Sequence, residues 1–467
     1  MQNDLTAEPI KVHFLGICGT AMGAVAAAMK RRGYDVTGSD EKVYPPMSTF
    51  LEREGVRILA GYSPENVPPD ADYIVVGNAI SRGNVEVESV LDQKLRYLSL
   101  PETLKEFFLC RKRNLVITGT HGKTTTTSIV AWLLTYGKLD PSYMIGGLPR
   151  NLETGAKFTD SDFVVLEGDE YDTAFFDKRS KFLHYLPEAV VINNIEFDHA
   201  DIYSSVDEIK LTFKRLLNIV PGCGVAIING DDENCLEVAD GAPTPVASLG
   251  FGENCDHRIT NVDYQSGSSL FDLDGFRFEV PMDGEFNVRN AAAAVLLARF
   301  AGLDDEVIAA GLKEFSGIAR RQEVRGEIGG VTVIDDFAHH PTAIQLSIAS
   351  MRQRYPGRRI RAVFEPRSNS TRRSVFQESL KVALEGADDV IVAAIEDNSK
   401  IPESERLDVE KLVSQINGAG TPALLGSGVD AIVENLISTS KQGDVVLVLS
   451  NGGFGGIHQQ LLNGLRG

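Results

Sequence analysis

The chain is a succession of short apolar runs, each followed by a turn rich in Gly, Asp or Asn and then by a helical stretch. The runs Val12–Leu15, Tyr73–Val76, Leu115–Thr118, Phe163–Leu166, Ala189–Ile192 and Val445–Leu449 are continuously hydrophobic rather than alternating. Such runs predict strands covered on both faces, hence parallel sheets with helices on each side. The pattern restarts twice, at the basic break Arg111–Arg113 and after Arg320–Arg321, ahead of Val331–Ile334. Three α/β domains are expected, at residues 1–108, 109–319 and 320–467. One stretch departs from the rule. Asp256–Val280 alternates polar and apolar positions and predicts an antiparallel hairpin on a sheet edge.

The strongest chemical signal follows the strand at Leu115. Leu115-Val-Ile-Thr-Gly-Thr-His-Gly-Lys-Thr-Thr-Thr-Thr127 runs from an apolar strand into a helix carrying Ile129, Val130, Trp132, Leu133 and Leu134. Gly119, Thr120, His121, Gly122, Lys123, Thr124 and Thr125 are placed to cradle phosphates. Glycines let backbone N–H groups close on phosphate oxygens, and the helix N-terminus adds positive potential. Lys123 is placed to reach the outer phosphates, and the Thr124 hydroxyl to ligate Mg2+. Ile117 stands where the common phosphate loop has its first Gly, so this is a shorter variant.

Two later strands end in polar clusters. Phe163–Leu166 leads into Glu167, Asp169, Glu170 and Asp172, and Ala189–Ile192 into Asn193, Asn194, Glu196, Asp198 and His199. C-terminal strand ends line the ligand crevice of a parallel sheet. Glu167 is therefore a candidate Mg2+ ligand, and His199 is either a second ligand or a group that orients a carboxylate. Near the N-terminus, Val12-His-Phe-Leu-Gly-Ile-Cys-Gly-Thr-Ala-Met-Gly23 is a strand, a glycine turn and an Ala-rich helix, with Asp40 after the next strand. Cys18 replaces the second Gly of a dinucleotide fingerprint, which disfavours a dehydrogenase. The turn still suits a diphosphate at a helix N-terminus, with Asn78–Asn84 as a second wall.

Four further clusters carry candidate chemistry. Asn287 and Asn290 open a small-residue helix, as caps or as amides that contact adenine. Arg320 and Arg321 are either solvated linker residues or cations that swing onto a phosphate. Val331–Ile334 ends in Asp335-Asp336-Phe-Ala-His339-His340-Pro341, more acids and histidines than a turn needs. Glu365-Pro-Arg367-Ser-Asn and Ser450-Asn451-Gly-Gly-Phe-Gly-Gly456 form a candidate substrate face, with Arg367 as a carboxylate clamp.

Composition narrows the classes. The 467 residues carry 46 Lys plus Arg against 65 Asp plus Glu, a net charge of −19. That balance argues against nucleic acid and anionic membrane surfaces as partners. Anionic ligands must then be held by a few local cations and backbone N–H groups. Five cysteines with no C-x-x-C pair argue against a disulfide framework or zinc site. Met1–Glu8 has no apolar core, and no apolar run reaches membrane-spanning length, so a cytoplasmic chain is expected.

Taken together, Gly16–Gly23, Gly119–Thr125, Glu167–Asp172, Asn193–His199, Asn287–Asn290, Arg320–Arg321 and Asp335–Pro341 resemble the Mur ligase family over essentially the whole chain. Gly168 stands where the family pattern leads one to expect Ala. The resemblance implies a Rossmann-like N-terminal domain for a UDP-sugar, a central ATPase domain with a mostly parallel sheet, and a Rossmann-like C-terminal domain that closes over both. It implies an ATP- and Mg2+-dependent ligase that activates the carboxylate of UDP-N-acetylmuramate as an acyl phosphate. The stretches Tyr44–Ser48, Asp169–Phe182, Glu196–Ile202, Glu365–Asn369 and Ser450–His458 resemble the branch that accepts L-alanyl-γ-D-glutamyl-meso-diaminopimelate, a murein tripeptide, in cell-wall recycling. The runner-up is the branch that adds free L-alanine. A phosphate-loop regulator without ligase chemistry is the alternative of another class. By carry-over, Lys123, Thr124, Glu167, His199 and Arg321 serve the phosphates and metal, Asn287, Asn290 and Asp336 the nucleoside, and His339 or His340 the amine or acyl phosphate. Gly16, Gly19, Thr20, Ala21, Met22, Asp40 and Asn78 would face the UDP-sugar, and Arg367 and Asn451 the peptide.

Overall fold

The computed structural model describes residues 8–200, 202–395, 398–399 and 401–466. Three main sheets follow one another along the chain. The first has five parallel strands in the spatial order 57–60, 35–40, 11–15, 73–76 and 97–99. The second has ten strands, and its parallel centre carries the runs at 113–118, 163–167 and 187–192 side by side. The third has six strands, five of them parallel, with the antiparallel strand 323–328 on its edge. The mixed α/β architecture with mostly parallel sheets is the one the apolar runs predict.

Two expectations need correction. The alternating stretch before Val280 is not a hairpin but a three-stranded antiparallel meander, His257–Gln265, Ser268–Leu273 and Phe276–Val280. Its apolar face packs Phe271, Leu273 and Phe278 into the central core, so the third strand is needed to bury it. Asp335 and Asp336 do not follow their strand but form its buried last two residues, as Val331–Asp336.

Local chemistry sets where each element starts. The helix Lys123–Tyr136 begins at Gly122, which is left-handed with φ +80°. A side chain there would meet the Asn290 amide, so glycine is required twice over. Gly168 is explained the same way. A Cβ at that position would lie 2.6 Å from the Thr118 methyl and 2.8 Å from a Val116 methyl, so the expected Ala does not fit. Asn84 caps the helix Val85–Asp92, accepting from the N–H groups of Glu86 and Val87. No helix among the described residues is long and apolar enough to cross a membrane. All five cysteines are free.

The first sheet contains one polar group whose burial has a measurable consequence. His13 lies fully buried on the central strand, with Nδ1 2.8 Å from the Thr37 hydroxyl on the neighbouring strand. Burial pushes its pKa down from 6.5 to about 4. The unfolded chain therefore binds a proton below about pH 6.5 that the folded chain refuses until about pH 4. Stability contributed by neutral His13 is lost as pH falls through that window. His13→Asn, which cannot protonate, is expected to lose less melting temperature between pH 7.5 and pH 5 than the parent. An identical drop in both would show that His13 titrates normally in the folded state.

Candidate active site

The C-terminal strand ends of the second and third sheets face each other across a cleft of about 420 Å³. Its floor is the phosphate loop. Backbone bonds from Thr120 N–H to the Asn194 carbonyl and from Asn193 N–H to the Thr118 carbonyl pin the loop to the next strand end. The Asn194 amide oxygen accepts from the His121 N–H at 2.8 Å. Thr120 to Thr125 all line the cleft, while Gly119, with φ +120°, turns the chain beneath them.

Lys123 is the buried cation of the site. Its ammonium donates to the Gly119 carbonyl at 2.6 Å and lies 3.1 Å from a Glu170 oxygen. Burial works against the charge, but Glu170, Asp169 and Glu167 outweigh it and raise the Lys123 pKa. Glu170 also accepts from His199 at 2.8 Å. Burial would raise the Glu170 pKa, yet Lys123 and His199 hold it below its ordinary value. For His199 burial favours the neutral form, and Glu170 and Asp198 overcome it, so its pKa is raised. His199 itself is held at φ +54°, rare for a residue with a side chain. Asp169, beside this group, is paired to Lys181 at 2.7 Å.

Thr124 and Glu167 form a second group one step away. The Thr124 hydroxyl donates to Glu167 Oε1 at 2.8 Å, and the other carboxylate oxygen accepts from the Gly146 N–H at 2.7 Å. Of the expected metal set Thr124, Glu167 and His199, the structure joins Thr124 to Glu167, while His199 bonds Glu170. Across the cleft, Arg321 Nη2 donates to the Thr124 hydroxyl at 3.2 Å and its guanidinium stacks 4.7 Å over Phe337. Burial lowers its pKa, with Asp336 and Glu167 opposing. Arg320 turns away from the phosphate loop. It donates to the Ser450 and Gly452 carbonyls at 2.7 and 2.6 Å and fixes that loop.

The two adjacent histidines separate cleanly. His340 caps the helix Pro341–Arg354, its Nδ1 accepting from the Thr342 N–H at 3.3 Å, which leaves the proton on Nε2 to bond the Phe197 carbonyl at 3.1 Å. Both nitrogens are engaged. His339 donates from Nδ1 to the Phe337 carbonyl at 3.0 Å, which leaves Nε2 as an acceptor in the cleft wall. Burial brings the pKa of each down to about 4, so both are neutral near pH 7.

Other expected residues distribute as follows. Asn287 lines the cleft, but Asn290 backs Gly122 from behind it. Neither is a cap, because the helix Glu285–Phe300 is capped by Gly284. Asp336 lines the cleft with a filled carboxylate, which accepts from Ala338 N–H, Gln322 N–H and the Ser347 hydroxyl. Asn451 lines it too, beside Ser368 and Ser370. Arg367 is 57% exposed and sits 3.4 Å from Glu365, outside the cleft lining. The N-terminal set lies apart on the first sheet. Asp40 accepts from the Cys18 and Lys42 N–H groups and shapes the glycine turn. Gly19, Thr20 and Asn78 are exposed, whereas the Met22 side chain is buried in the core and offers the surface only backbone.

Phe197 was not singled out in the sequence. Belonging to the second sheet's loop, it packs against the core of the third, 6.3 Å from the Phe376 ring. Its carbonyl takes the His340 bond, and its neighbour Glu196 accepts from Thr342 at 2.5 Å. No local signal marks it, since an aromatic in a loop has meaning only once its partner is known.

A phosphate loop at a strand–helix junction, a carboxylate-rich crevice and an arginine delivered by a following α/β unit define a nucleotide-dependent group-transfer enzyme of multidomain α/β type. Three family models match the chain in succession: the Mur ligase family catalytic domain over residues 11–111, the Mur ligase middle domain over 117–298, and the Mur ligase glutamate ligase domain over 320–452. A UDP-N-acetylmuramate–L-alanyl-γ-D-glutamyl-meso-2,6-diaminoheptandioate ligase of Escherichia coli (strain K12) is 41% identical over 461 residues, covering 98% of each chain. A UDP-N-acetylmuramate–L-alanine ligase of Geotalea daltonii is 32% identical over 464 residues, covering 98% of each. The crystal structure of a murein peptide ligase from Psychrobacter arcticus superposes with a TM-score of 0.70 at 34% identity, covering 98% of this chain and 99% of that one. The chain belongs to the Mur ligase family, and it is an ATP-dependent carbon–nitrogen ligase.

Two outcomes follow from the geometry. Glu170→Gln removes the carboxylate shared by Lys123 and His199 and leaves a buried charge unmatched, a loss of about 3–5 kcal/mol. The His199 pKa should then fall towards or below its ordinary value, read from imidazole NMR signals against pH. An unmoved titration would show that Glu170 is not its partner. Phe197→Ala should loosen the contact between the second and third sheets, and small-angle scattering should record a larger radius of gyration than in the parent. An unchanged radius would mean that other contacts hold the two together.

Proposed function

We propose that this protein joins the carboxylate of UDP-N-acetylmuramate to the amine of L-alanyl-γ-D-glutamyl-meso-diaminopimelate at the expense of ATP, in recycling of cell-wall peptide. The observation that carries the reading is the convergence of Lys123, Thr124, Glu167, His199 and Arg321 on one cleft between two α/β units. The peptide rather than free L-alanine is supported by the higher identity to the peptide ligase, 41% against 32%. Residues 1–108 bind the UDP-sugar, 109–319 bind ATP, and 320–467 bind the peptide. In the first unit Gly16, Gly19, Thr20, Ala21, Met22, Asp40 and Asn78 form the turn that receives the diphosphate, with Met22 contributing through its backbone.

In the first step the sugar's carboxylate attacks the γ-phosphorus and ADP leaves. Charge spreads over the transferring oxygens, so positioned cations matter more than covalent help. Lys123 exchanges its Glu170 contact for the outer phosphates, and Arg321 meets the γ-phosphate from the opposite wall. The donors offered by Thr124 and Glu167 are hard oxygens on the cleft lining, the set Mg2+ takes. Mg2+ held there would neutralise phosphate charge. The Glu170–His199 pair stands beside that set as its electrostatic support. In the second step the peptide amine attacks the acyl phosphate, and phosphate departs from a tetrahedral intermediate. His339 is the group to orient the amine, because its Nε2 is left as a hydrogen-bond acceptor on a residue that lines the cleft, whereas both nitrogens of His340 are engaged. Asn451 and Arg367 flank the peptide approach, Arg367 with a guanidinium suited to a carboxylate.

ADP release should require UDP-N-acetylmuramate and tripeptide together, and free L-alanine should replace the tripeptide poorly. Hydrolysis independent of the sugar would point instead to a phosphate-loop regulator. Equal rates with L-alanine would favour the amino-acid-adding branch. Lys123→Ala should abolish ADP release in a chain that still folds, with a lowered melting temperature because buried Glu170 loses one of its two cations.

A further inference from the structure

Two side-chain amides in the cleft are left half-satisfied, and one of them, Gln322, has no part in the reading above. Asn287 is 1% exposed and Gln322 7%, and both line the cleft. Their orientations are set by their partners. The Asp283 carbonyl can only accept, so the atom 2.8 Å from it is Asn287 Nδ2. The same NH2 group faces Gln322 Oε1 at 3.4 Å, and that oxygen also accepts from the Ser350 hydroxyl at 3.3 Å. The Gln322 backbone is fixed as well, at φ +51° with its N–H on the Asp336 carboxylate.

What remains is an acceptor, Asn287 Oδ1, and a donor, Gln322 Nε2, each buried with no hydrogen-bond partner. Buried polar atoms are rarely left so, because desolvation is not repaid. Here two of opposite type belong to amides bonded to one another. They share the cleft with Met282, Phe286 and Leu346, apolar side chains suited to a flat ring. An unpartnered acceptor and an unpartnered donor on two bonded amides of an apolar cleft wall match a planar group that presents a donor next to an acceptor. Adenine does so with its exocyclic amine beside a ring nitrogen. Guanine places a carbonyl oxygen at the amine's position, facing Asn287 Oδ1 lone pair to lone pair.

We propose that Gln322 is a specificity-determining residue that reads the base of ATP, donating from Nε2 to the ring nitrogen beside the amine while Asn287 Oδ1 accepts from that amine. This rests on the reading of the protein as an ATP-dependent ligase and adds a base-reading residue to it. The test is calorimetric binding of ATP, GTP, 1-deaza-ATP and 7-deaza-ATP to the full chain and to Gln322→Leu. The parent should bind ATP well above GTP, and one of the two deaza analogues, lacking the contacted nitrogen, should bind about tenfold more weakly than ATP. Gln322→Leu should weaken ATP by a similar factor and abolish the penalty of that analogue. The proposal is overturned if both analogues bind the parent as ATP does, or if the penalty survives in Gln322→Leu. Should Gln322→Leu fail to fold, the analogue series on the parent decides alone. A parent that binds no ATP would overturn the ligase reading, whereas ATP binding without an analogue penalty would remove only Gln322.

Discussion

A lysine ammonium withdrawn from water has to be matched by a carboxylate, and the Lys123–Glu170 contact at 3.1 Å is the constraint around which the cleft is built. Glu170 cannot serve Lys123 alone. Its side chain also takes His199, and its backbone carbonyl accepts from the Ser180 and Tyr203 hydroxyls. The phosphate loop, the acidic loop after Glu167 and the loop that carries His199 are thereby one unit. The strained His199 backbone is held by this unit, which over-determines its position. By the function proposed above, a nucleotide phosphate entering the site would replace Glu170 as the partner of Lys123. It would do so where the low dielectric makes each charge count for more than at the surface. A chain with 19 excess negative charges can thus bind several anions, because its cations are concentrated and dry.

Much of this was legible in the sequence because it is local. A continuous apolar run must be covered on both faces, which yields the parallel sheets. A strand followed by glycines and Lys-Thr makes a tight turn into a helix, and the three strand ends of the second sheet fall beside one another once its strands pair in parallel. Gly122 and Gly168 show the finer grain. The first could be assigned to a turn from its motif. The second could be explained only by the Thr118 and Val116 methyls on the neighbouring strand.

The parts that were not legible depend on distant partners. Glu170 sits among four acids within six residues, and nothing along the chain distinguishes it from Asp169 or Asp172. Only the approach of Lys123, 47 positions away, does so. Asn290 shares a motif with Asn287, yet helical rotation turns one amide into the cleft and the other against Gly122. Arg320 and Arg321 are neighbours with opposite assignments. One ties down the loop at Ser450 and Gly452, the other crosses to Thr124. Periodicity cannot separate adjacent residues in a linker, since a linker has no period.

The same separation ties the placement of the cleft's histidine and arginine to the contact between the second and third sheets. His340 is spent on structure, capping a helix with one nitrogen and holding the Phe197 carbonyl of the central unit with the other. Its ring also stands 5.2 Å from Phe376, the residue that Phe197 packs against. Docking through Phe197 therefore fixes the N-cap of the helix Pro341–Arg354, His340, and with it the preceding residue, His339. The docking that engages Phe197 presents the free Nε2 of His339 to the cleft and carries Arg321 to Thr124. Phe197 lies two residues from His199, so the same contact constrains the loop that faces Glu170. A single aromatic contact thus bears on His339, Arg321 and the Glu170–His199 unit together. The wall that carries His339 and Asp336 and the wall that carries Lys123 and Thr124 are therefore positioned by one contact, so a change at Phe197 disturbs both sides of the cleft at once.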